Sequence, residues 1–144
     1  MNPLTKAIAI AVTAHAGQVD KAGAPYVTHP LRLMAKMNTD IERIVAVLHD
    51  VVEDCEGWTF ARLRAEGIPE EAIAALKLVT KRPRDKNDYA GFVRRAASNP
   101  VSRRVKIADI EDNMDIRRLK QIGDKDVQRL RKYLKAWRQL NSIP

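Results

Sequence analysis

The sequence predicts an all-α fold, a bundle of roughly seven to eight helices in a single domain spanning residues 1–144. Apolar residues recur at spacings of three and four in several segments, which is typical of helices with one buried face. Residues that commonly cap helices, and prolines suited to a first turn, stand where these segments begin. Runs of β-branched residues are short and do not alternate with polar ones, so strands are not expected.

The first two helices are predicted from their start signals. Asn2 suits an N-cap and Pro3 a first helical position, which opens a helix that should run to about Gly17. A loop rich in glycine and proline follows. Thr28 is then predicted to cap a second helix over residues 29–37.

A third helix and a short fourth one follow. Asp40 is predicted to cap the third helix, which should continue without a break over residues 41–54. Thr59 is predicted to cap the short helix, and Gly67 to end it.

Four further helices complete the bundle. They are predicted over residues 70–80, 88–98 and 100–115 and from Gly123 onward, with a basic loop before the second of them. Large apolar residues of the last helix recur at helical spacing and are expected to form a buried stripe. These residues are Val127, Leu130, Tyr133, Leu134 and Trp137.

Composition narrows the range of functions. The formal net charge of +8 and the pI of about 9.9 favour anionic partners such as nucleotides, RNA, DNA or acidic membranes. A merely solvated basic surface is the alternative. One cysteine, Cys55, cannot form an intrachain disulfide, and no apolar run approaches the roughly 20 residues of a membrane span. We therefore expect a cytoplasmic protein and interpret the alanine-rich start as a helix rather than a secretion signal.

One apolar segment, IVAVLHDVVEDC at residues 44–55, contains four ionisable groups. Glu53 follows His49 by four residues, and Asp54 follows Asp50 by four, so on a helix the four side chains would form two neighbouring columns. Burying such charges alone is costly, and a divalent cation would compensate them. The alternative is an ordinary helix whose charged face is solvated.

Two further residues favour the metal interpretation. His29 stands in Thr-His-Pro at a predicted helix start, and Asp109 stands among apolar neighbours in Val-Lys-Ile-Ala-Asp-Ile. With His49 and Asp50 they make a set of two imidazoles and two carboxylates, which suits Mn, Fe, Co or Zn and leaves room for water.

Three stretches together resemble the successive motifs of a known family. They are AHAGQVDKAGAPYVTHP at residues 14–30, AVLHDVVED at 46–54 and VKIADIEDNMD at 105–115. They resemble those of HD-domain metallophosphohydrolases, and most of all the RelA/SpoT-type guanosine polyphosphate 3′-pyrophosphohydrolases and their small stand-alone forms. The resemblance runs from about His15 to Leu119 and implies an all-α HD-domain helical bundle.

The resemblance also implies roles for particular residues. Four side chains would bind one divalent ion, usually Mn²⁺: His29, His49, Asp50 and Asp109. The catalytic acidic pair would be Glu53 and Asp54. Nucleotide-binding positions would be Lys21, Tyr26 and Asn113.

Basic residues would neutralise a polyphosphate substrate, although each could equally be a solvent-exposed charge. Lys106 is the strongest candidate because it lies within one helical turn of Asp109. The others, besides Lys21, are Lys81, Arg82, Arg103 and Arg104.

The reaction implied by the resemblance removes pyrophosphate from the 3′ position of ppGpp or pppGpp and leaves GDP or GTP. Two departures bear on guanine specificity: Asp20 stands where the full-length enzymes usually have Arg, and residues 110–112 read Ile-Glu-Asp instead of Arg-Leu-His. The alternatives are an HD hydrolase of another nucleotide or phosphoester, and a catalytically silent module that binds nucleotide or RNA. A small nucleotide is the expected partner; a membrane is not expected, nucleic acid is disfavoured, and a homo-oligomer is compatible with the sequence.

Overall fold

The computed structural model describes Met1–Pro144 and confirms the all-α prediction. The α-helices are α1 (Pro3–Ala14), α2 (Thr28–Ala35), α3 (Asp40–Leu48), α4 (Val51–Asp54), α5 (Phe60–Ala65), α6 (Glu70–Val79), α7 (Tyr89–Ala97), α8 (Pro100–Asn113) and α9 (Asp124–Asn141). Two 3₁₀ turns lie at Pro83–Asn87 and Ile116–Arg118. The one extended pairing is an isolated bridge between Val19 and Pro25. None of the helices combines the length and the apolar character that crossing a bilayer requires.

Helix α3 lies at the centre of the bundle and packs against α1, α2, α6 and α8. Residues 44–48 of this helix are all buried, because both the front and the back of its second half meet apolar neighbours. A capping box fixes its start: the Thr39 hydroxyl accepts from the Glu42 N–H, and the Glu42 carboxylate accepts from the Thr39 N–H. The central helix therefore holds its last residues at a defined place inside the protein.

The predicted third helix is wrong in two details. Thr39, not Asp40, is the N-cap. The helix also does not run unbroken over residues 41–54, since α3 ends at Leu48 and the single turn α4 begins at Val51. Between them Asp50 has φ −105° and ψ −1°, away from helical values. Because the predicted third helix is divided into two, the protein has nine α-helices. His49 and Asp50 lie in the opening between them.

The starts and ends of α1 and α2 also differ slightly from prediction. Helix α1 ends at Ala14, and Gly17 adopts φ +84° in the turn beyond it, a conformation that favours glycine. Thr28 does not cap α2 but is its first residue, and its hydroxyl donates to the Pro25 carbonyl at 2.8 Å. The loop between these helices, residues 15–27, contacts the segment after α3, since Tyr26 bonds to Asp50 and Gln18 to the Asp54 carbonyl.

The predicted buried stripe of α9 is wrong in part. Val127 and Leu134 are 37% and 42% exposed, while the buried residues are Ala136 and Leu140. Helix α9 packs mainly along α7 and α8, so a narrow strip of its surface is buried and much of the rest faces solvent. Tyr133, Leu130 and Trp137 are half-buried.

The segment after α6, predicted as a basic loop, is a 3₁₀ turn held by a buried carboxylate. Asp85 accepts from Arg95 Nη1 at 2.7 Å and Nη2 at 2.9 Å, and from the Arg82 N–H at 2.7 Å. Hydrogen bonds from Arg95 hold the pKa of the Asp85 carboxyl at about 2. This bidentate pair ties the segment to α7.

We expect the Asp85→Asn substitution to destabilise the protein in a pH-dependent way. The native pKa lies below the ordinary value near 3.8, so the stabilisation is fully present above that value and is lost as pH falls towards 2. The gap in unfolding free energy between wild type and Asp85→Asn, from urea denaturation, should therefore shrink between pH 5 and pH 3. The exposed Asp124→Asn serves as the control, with little effect at either pH. A gap that is constant over this range contradicts the assignment.

Candidate active site

Three separate parts of the chain bring together the side chains that the sequence singled out as metal ligands. His29 lies in the first turn of α2, His49 and Asp50 lie in the opening between α3 and α4, and Asp109 lies on α8. The two histidines are 4% and 3% exposed and Asp109 is 9% exposed. Their convergence depends on α3 packing against both α2 and α8.

The distances between these groups are short. His29 Nε2 lies 3.1 Å from Asp109 Oδ1 and 3.8 Å from Asp50 Oδ2. His49 Nε2 lies 3.0 Å from Asp50 Oδ2 and 3.6 Å from Asp109 Oδ1. The two imidazole centroids are 5.1 Å apart, with the rings at 67° to each other. Both Nε2 atoms and both carboxylates thus face one point.

The orientation of each imidazole is fixed by its other nitrogen. His49 Nδ1 lies 2.7 Å from the Ala46 carbonyl oxygen, which can only accept, so Nδ1 carries a proton. His29 Nδ1 lies 2.6 Å from Asp112 Oδ2. Arg32 holds that carboxylate from the far side with two hydrogen bonds, of 2.8 and 2.9 Å. In neutral imidazoles of this kind, Nε2 is left with a lone pair, as a metal ligand requires.

The carboxylates of the centre and the basic groups beside them shift each other's pKa values. Burial would lower the pKa of His49, but the charges of Asp50 and Asp109 close to its ring outweigh burial and raise the pKa well above its ordinary value. Burial would raise the pKa of Asp109, but Lys106 and the two imidazoles hold it well below its usual range. The carboxylates therefore stay ionised and attract positive charge.

A divalent ion fits this donor set. The ligand atoms of His29, His49 and Asp50 lie within 4.8 Å of one another, and Asp109 Oδ1 lies close to both imidazoles. His49 Nε2 is fully buried and has no hydrogen bond of good geometry, although Asp50 is near. Two imidazoles and two carboxylates suit a borderline transition metal.

The acidic pair lies at the rim of the centre. Glu53 and Asp54 are on α4, and their carboxylate oxygens form a second close group with Asp50, all within 4.8 Å. The Lys81 N–H donates to Glu53 Oε1 at 2.8 Å. Partial desolvation and then the charge of Asp50 raise the pKa of both carboxyls. Either group can thus carry a proton more readily than a free carboxylate.

These groups line a cavity of about 220 Å³, which we call the inner cavity. An outer pocket of about 280 Å³ adjoins it. The two share Tyr26, Asn113 and Tyr133 as a common wall. The outer pocket combines apolar side chains such as Leu119 and Leu130 with charged ones.

The predicted nucleotide-binding residues take different places. Lys21 lines the outer pocket. The Tyr26 hydroxyl donates a short hydrogen bond to Asp50, and Asn113 Nδ2 donates to Asp109 Oδ1 at 3.0 Å. These two side chains therefore support the carboxylates and also face the shared wall. Their contacts with substrate stay a prediction.

The basic candidates divide in the same way. Lys106 is 7% exposed and donates to Asp109 Oδ2 at 3.1 Å, so its charge is already paired. Arg103 and Arg104 are not at the cavity: they line a separate groove on the other side of α8, where Arg104 pairs with Glu42 at 2.7 Å. Lys81 lies at the inner cavity, but Arg82 does not line it.

Sequence reasoning missed the role of Asp112. The sequence marked Asp112 only as a departure from the family motif, and in the structure its carboxylate orients His29. The signal was available, since Asp112 follows Asp109 by three residues and so lies on the same side of α8. Tyr133 was expected in the core and lines both cavities. His15, where the resemblance begins, is buried against Gln18 and Cys55.

Comparison with solved structures identifies the fold. The chain superposes on a metazoan orthologue of SpoT that hydrolyses ppGpp, with a TM-score of 0.80, 19% identity and coverage of 97% of this chain and 85% of the other. The chain has the fold of that protein, an all-α HD-domain helical bundle. No family model matches the sequence of this HD-type domain.

Curated relatives of the HD-type domain match part of its sequence. The guanosine-3′,5′-bis(diphosphate) 3′-pyrophosphohydrolase of Vibrio cholerae is 42% identical over 57 residues, which are 37% of this chain and 8% of that protein. The bifunctional (p)ppGpp synthase/hydrolase SpoT of Escherichia coli is 34% identical over 91 residues, 59% of this chain and 13% of that protein. The matched segments are thus about a tenth of the length of these relatives. The His/Asp cluster is the candidate site for a divalent metal ion.

If Asp112 orients His29 as a ligand of the HD-type domain, Asp112→Asn should weaken metal binding. A neutral amide holds the Nδ1 proton less strongly and makes the imidazole a poorer donor, which in known sites costs about 10- to 100-fold in affinity. Calorimetric titration of the metal-free protein with Mn²⁺ measures this effect. Glu111→Gln, at the neighbouring position on the other side of α8, is the control. Equal affinity in all three proteins contradicts the role of Asp112.

Proposed function

We propose that this protein is a metal-dependent phosphohydrolase that removes the 3′-pyrophosphate of ppGpp and pppGpp, giving GDP or GTP and pyrophosphate. Its divalent ion would be held by two imidazoles and two carboxylates, and Mn²⁺ is the proposed metal because it accepts both donor types. The ligands would be His29, His49, Asp50 and Asp109. A cytoplasmic location agrees with a nucleotide substrate.

The observation that carries this proposal is the convergence of these four side chains beside a protonatable acidic pair. A site that only bound a metal for stability would have no need of Glu53 and Asp54 one turn beyond Asp50. A site that only bound nucleotide would have no need of two buried imidazoles facing two carboxylates. Hydrolysis of a phosphoester uses both.

The two adjoining cavities support a nucleotide substrate with phosphates at separate positions. The outer pocket would take the nucleoside, with Tyr133 and Leu130 as apolar contacts. Lys21 and Arg129 line the same pocket and would neutralise the 5′ phosphates. The 3′-diphosphate would pass the shared wall into the inner cavity. Relatives named as (p)ppGpp hydrolases support this assignment.

The reaction follows from these positions. The bound ion would polarise a phosphoryl oxygen and lower the pKa of water. A water oxygen forms a bond to the phosphorus next to the ribose, and the bond from that phosphorus to the 3′ oxygen breaks. One carboxyl of the Glu53 and Asp54 pair accepts the proton of the water, and the other supplies a proton to the 3′ oxygen. Their raised pKa values favour both roles. The Lys81 N–H keeps Glu53 in place.

A second candidate is the same chemistry on a different nucleotide. Asp20 favours it, because its carboxylate is used within the loop, accepting from the Ala22 and Ala24 N–H groups at 2.9 Å, and cannot stack on a purine as Arg does. Arg118 lies 3.6 Å from Asp20 across the outer pocket and is the nearest replacement. The choice of base would then depend on Arg118.

A screen of nucleotides with product analysis in the presence of Mn²⁺ tests the proposal. We expect ppGpp and pppGpp to give GDP and GTP with one equivalent of pyrophosphate, and His49→Ala to lose both bound metal and turnover. Turnover of a different nucleotide alone supports the second candidate. If no nucleotide or phosphoester shows turnover that depends on metal, the protein is not an enzyme of this class.

The acidic pair can be tested apart from the metal. Glu53→Gln should keep the metal content of wild type and lower kcat by roughly 10²- to 10⁴-fold, because the amide can neither accept nor supply the proton. Glu56→Gln, an exposed position on the same segment, is the matched control and should leave kcat unchanged. An unchanged kcat in Glu53→Gln removes this residue from the proton transfer.

A further inference from the structure

The lining of the inner cavity includes two residues that no sequence motif singled out. Tyr89 is the first residue of α7, and Lys132 lies on α9. Both line the inner cavity together with Lys81, which follows α6. Three elements distant in sequence therefore bring one tyrosine and two lysines to the same cavity.

Tyr89 has a buried hydroxyl with no hydrogen-bond partner. A buried hydroxyl left unpaired costs free energy that a partner would recover, so such a group in a cavity wall points to a ligand or water. Burial raises the pKa of Tyr89 to about 12, so the group remains a donor at neutral pH. The Tyr89 hydroxyl could therefore donate a hydrogen bond to an oxygen atom of a bound ligand.

Lys132 also lacks a partner of opposite charge. It forms no ion pair with any carboxylate, and its ammonium lies over the rings of Tyr89 and Tyr133, at 4.6 and 5.1 Å from their centroids. The side chain is solvent-exposed, and the partial loss of water around its ammonium and the nearby charges of Lys81 and Lys106 lower its pKa. Lys106 differs because Asp109 neutralises it. An anion bound beside Lys132 would offset the repulsion between these cations.

We propose that Tyr89 and Lys132, with Lys81 at the edge, form an anion subsite that binds the diphosphate group transferred to water. This inference rests on the proposed function, whose 3′-diphosphate enters the same cavity. Glu53 and Asp54 line the same cavity and repel the outer phosphate of the diphosphate, so its favourable place is beside Tyr89 and Lys132. A hydroxyl and two ammonium groups match several oxygens of one diphosphate.

This assignment also changes the role of Lys106. The sequence predicted Lys106 as the strongest candidate for a phosphate contact. In the structure its ammonium is buried against Phe92, at 4.3 Å from the ring centroid, and donates to Asp109. It acts as a positioning residue for that carboxylate. The proposed contact with the diphosphate is instead Lys132, which also lies over the Tyr89 ring but has no carboxylate partner.

Direct binding of inorganic pyrophosphate tests the subsite without requiring turnover. Tyr89→Phe removes only the hydroxyl, and Lys132→Gln removes only the charge. Each should weaken pyrophosphate binding in calorimetry without added metal by about tenfold, the worth of one hydrogen bond to a charged group. Lys135→Gln, exposed on the same helix, is the matched control and should bind pyrophosphate as wild type does. Wild-type affinity in both Tyr89→Phe and Lys132→Gln overturns the subsite.

Kinetics separates this inference from the function on which it rests. If wild type hydrolyses ppGpp, both substitutions should raise KM about tenfold and change kcat less than twofold, because ground-state contact with the diphosphate is lost. A KM unchanged in both variants overturns the subsite while leaving the hydrolase intact. If wild type hydrolyses nothing, the proposed function fails, and weaker pyrophosphate binding by the variants still supports an anion site.

Discussion

The whole site depends on the direction in which two imidazole rings face. His49 is held by a backbone carbonyl of its own helix and His29 by a carboxylate of α8, each through Nδ1. Both therefore turn Nε2 towards Asp50 and Asp109. Without those two hydrogen bonds the rings could rotate and the donors would no longer share one point. The rest of the structure can be understood as the support for this arrangement.

Helix α8 supplies most of that support. Its Asp109 carboxylate receives Lys106 on one oxygen and Asn113 on the other, both from the same helix. The buried ammonium of Lys106 is tolerable because the carboxylate is beside it, and the carboxylate stays ionised because the ammonium is there. Helix α8 thus supplies the candidate ligand Asp109 and the ammonium that pairs with it. Its Asp112 also orients His29 on α2.

Much of this could be predicted from the sequence. The helix starts at Asn2 and Thr59 follow local capping rules, and both were confirmed. The four candidate ligands were found because a charged residue in an apolar segment is unusual wherever it occurs. Local rules operate over a few residues, and these features are local.

The remaining features depend on packing between distant segments. The opening at Asp50 is not marked by glycine or proline, so no strong local signal predicts it. Exposure of Val127 and Leu134 follows from how little of α9 its neighbours cover. The pairing of Tyr89 with Lys132 needs α7 and α9 side by side. Periodicity shows which face of a helix is apolar, but not which partner meets it.

Asp112 gives the two cavities a shared component. Its Oδ2 receives His29 and, at 3.4 Å, Arg118, while the Asp112 backbone carbonyl accepts from Arg118 at 2.7 Å. Arg118 is also part of the outer pocket. A nucleoside that moves Arg118 away from Asp112 would leave the Asp112 carboxylate to interact more strongly with the His29 imidazole. A cation bound by His29 would in turn change the interaction between Asp112 and Arg118. By thermodynamic reciprocity each ligand would change the affinity for the other by the same factor, so filling of the outer pocket and filling of the metal centre would be cooperative events.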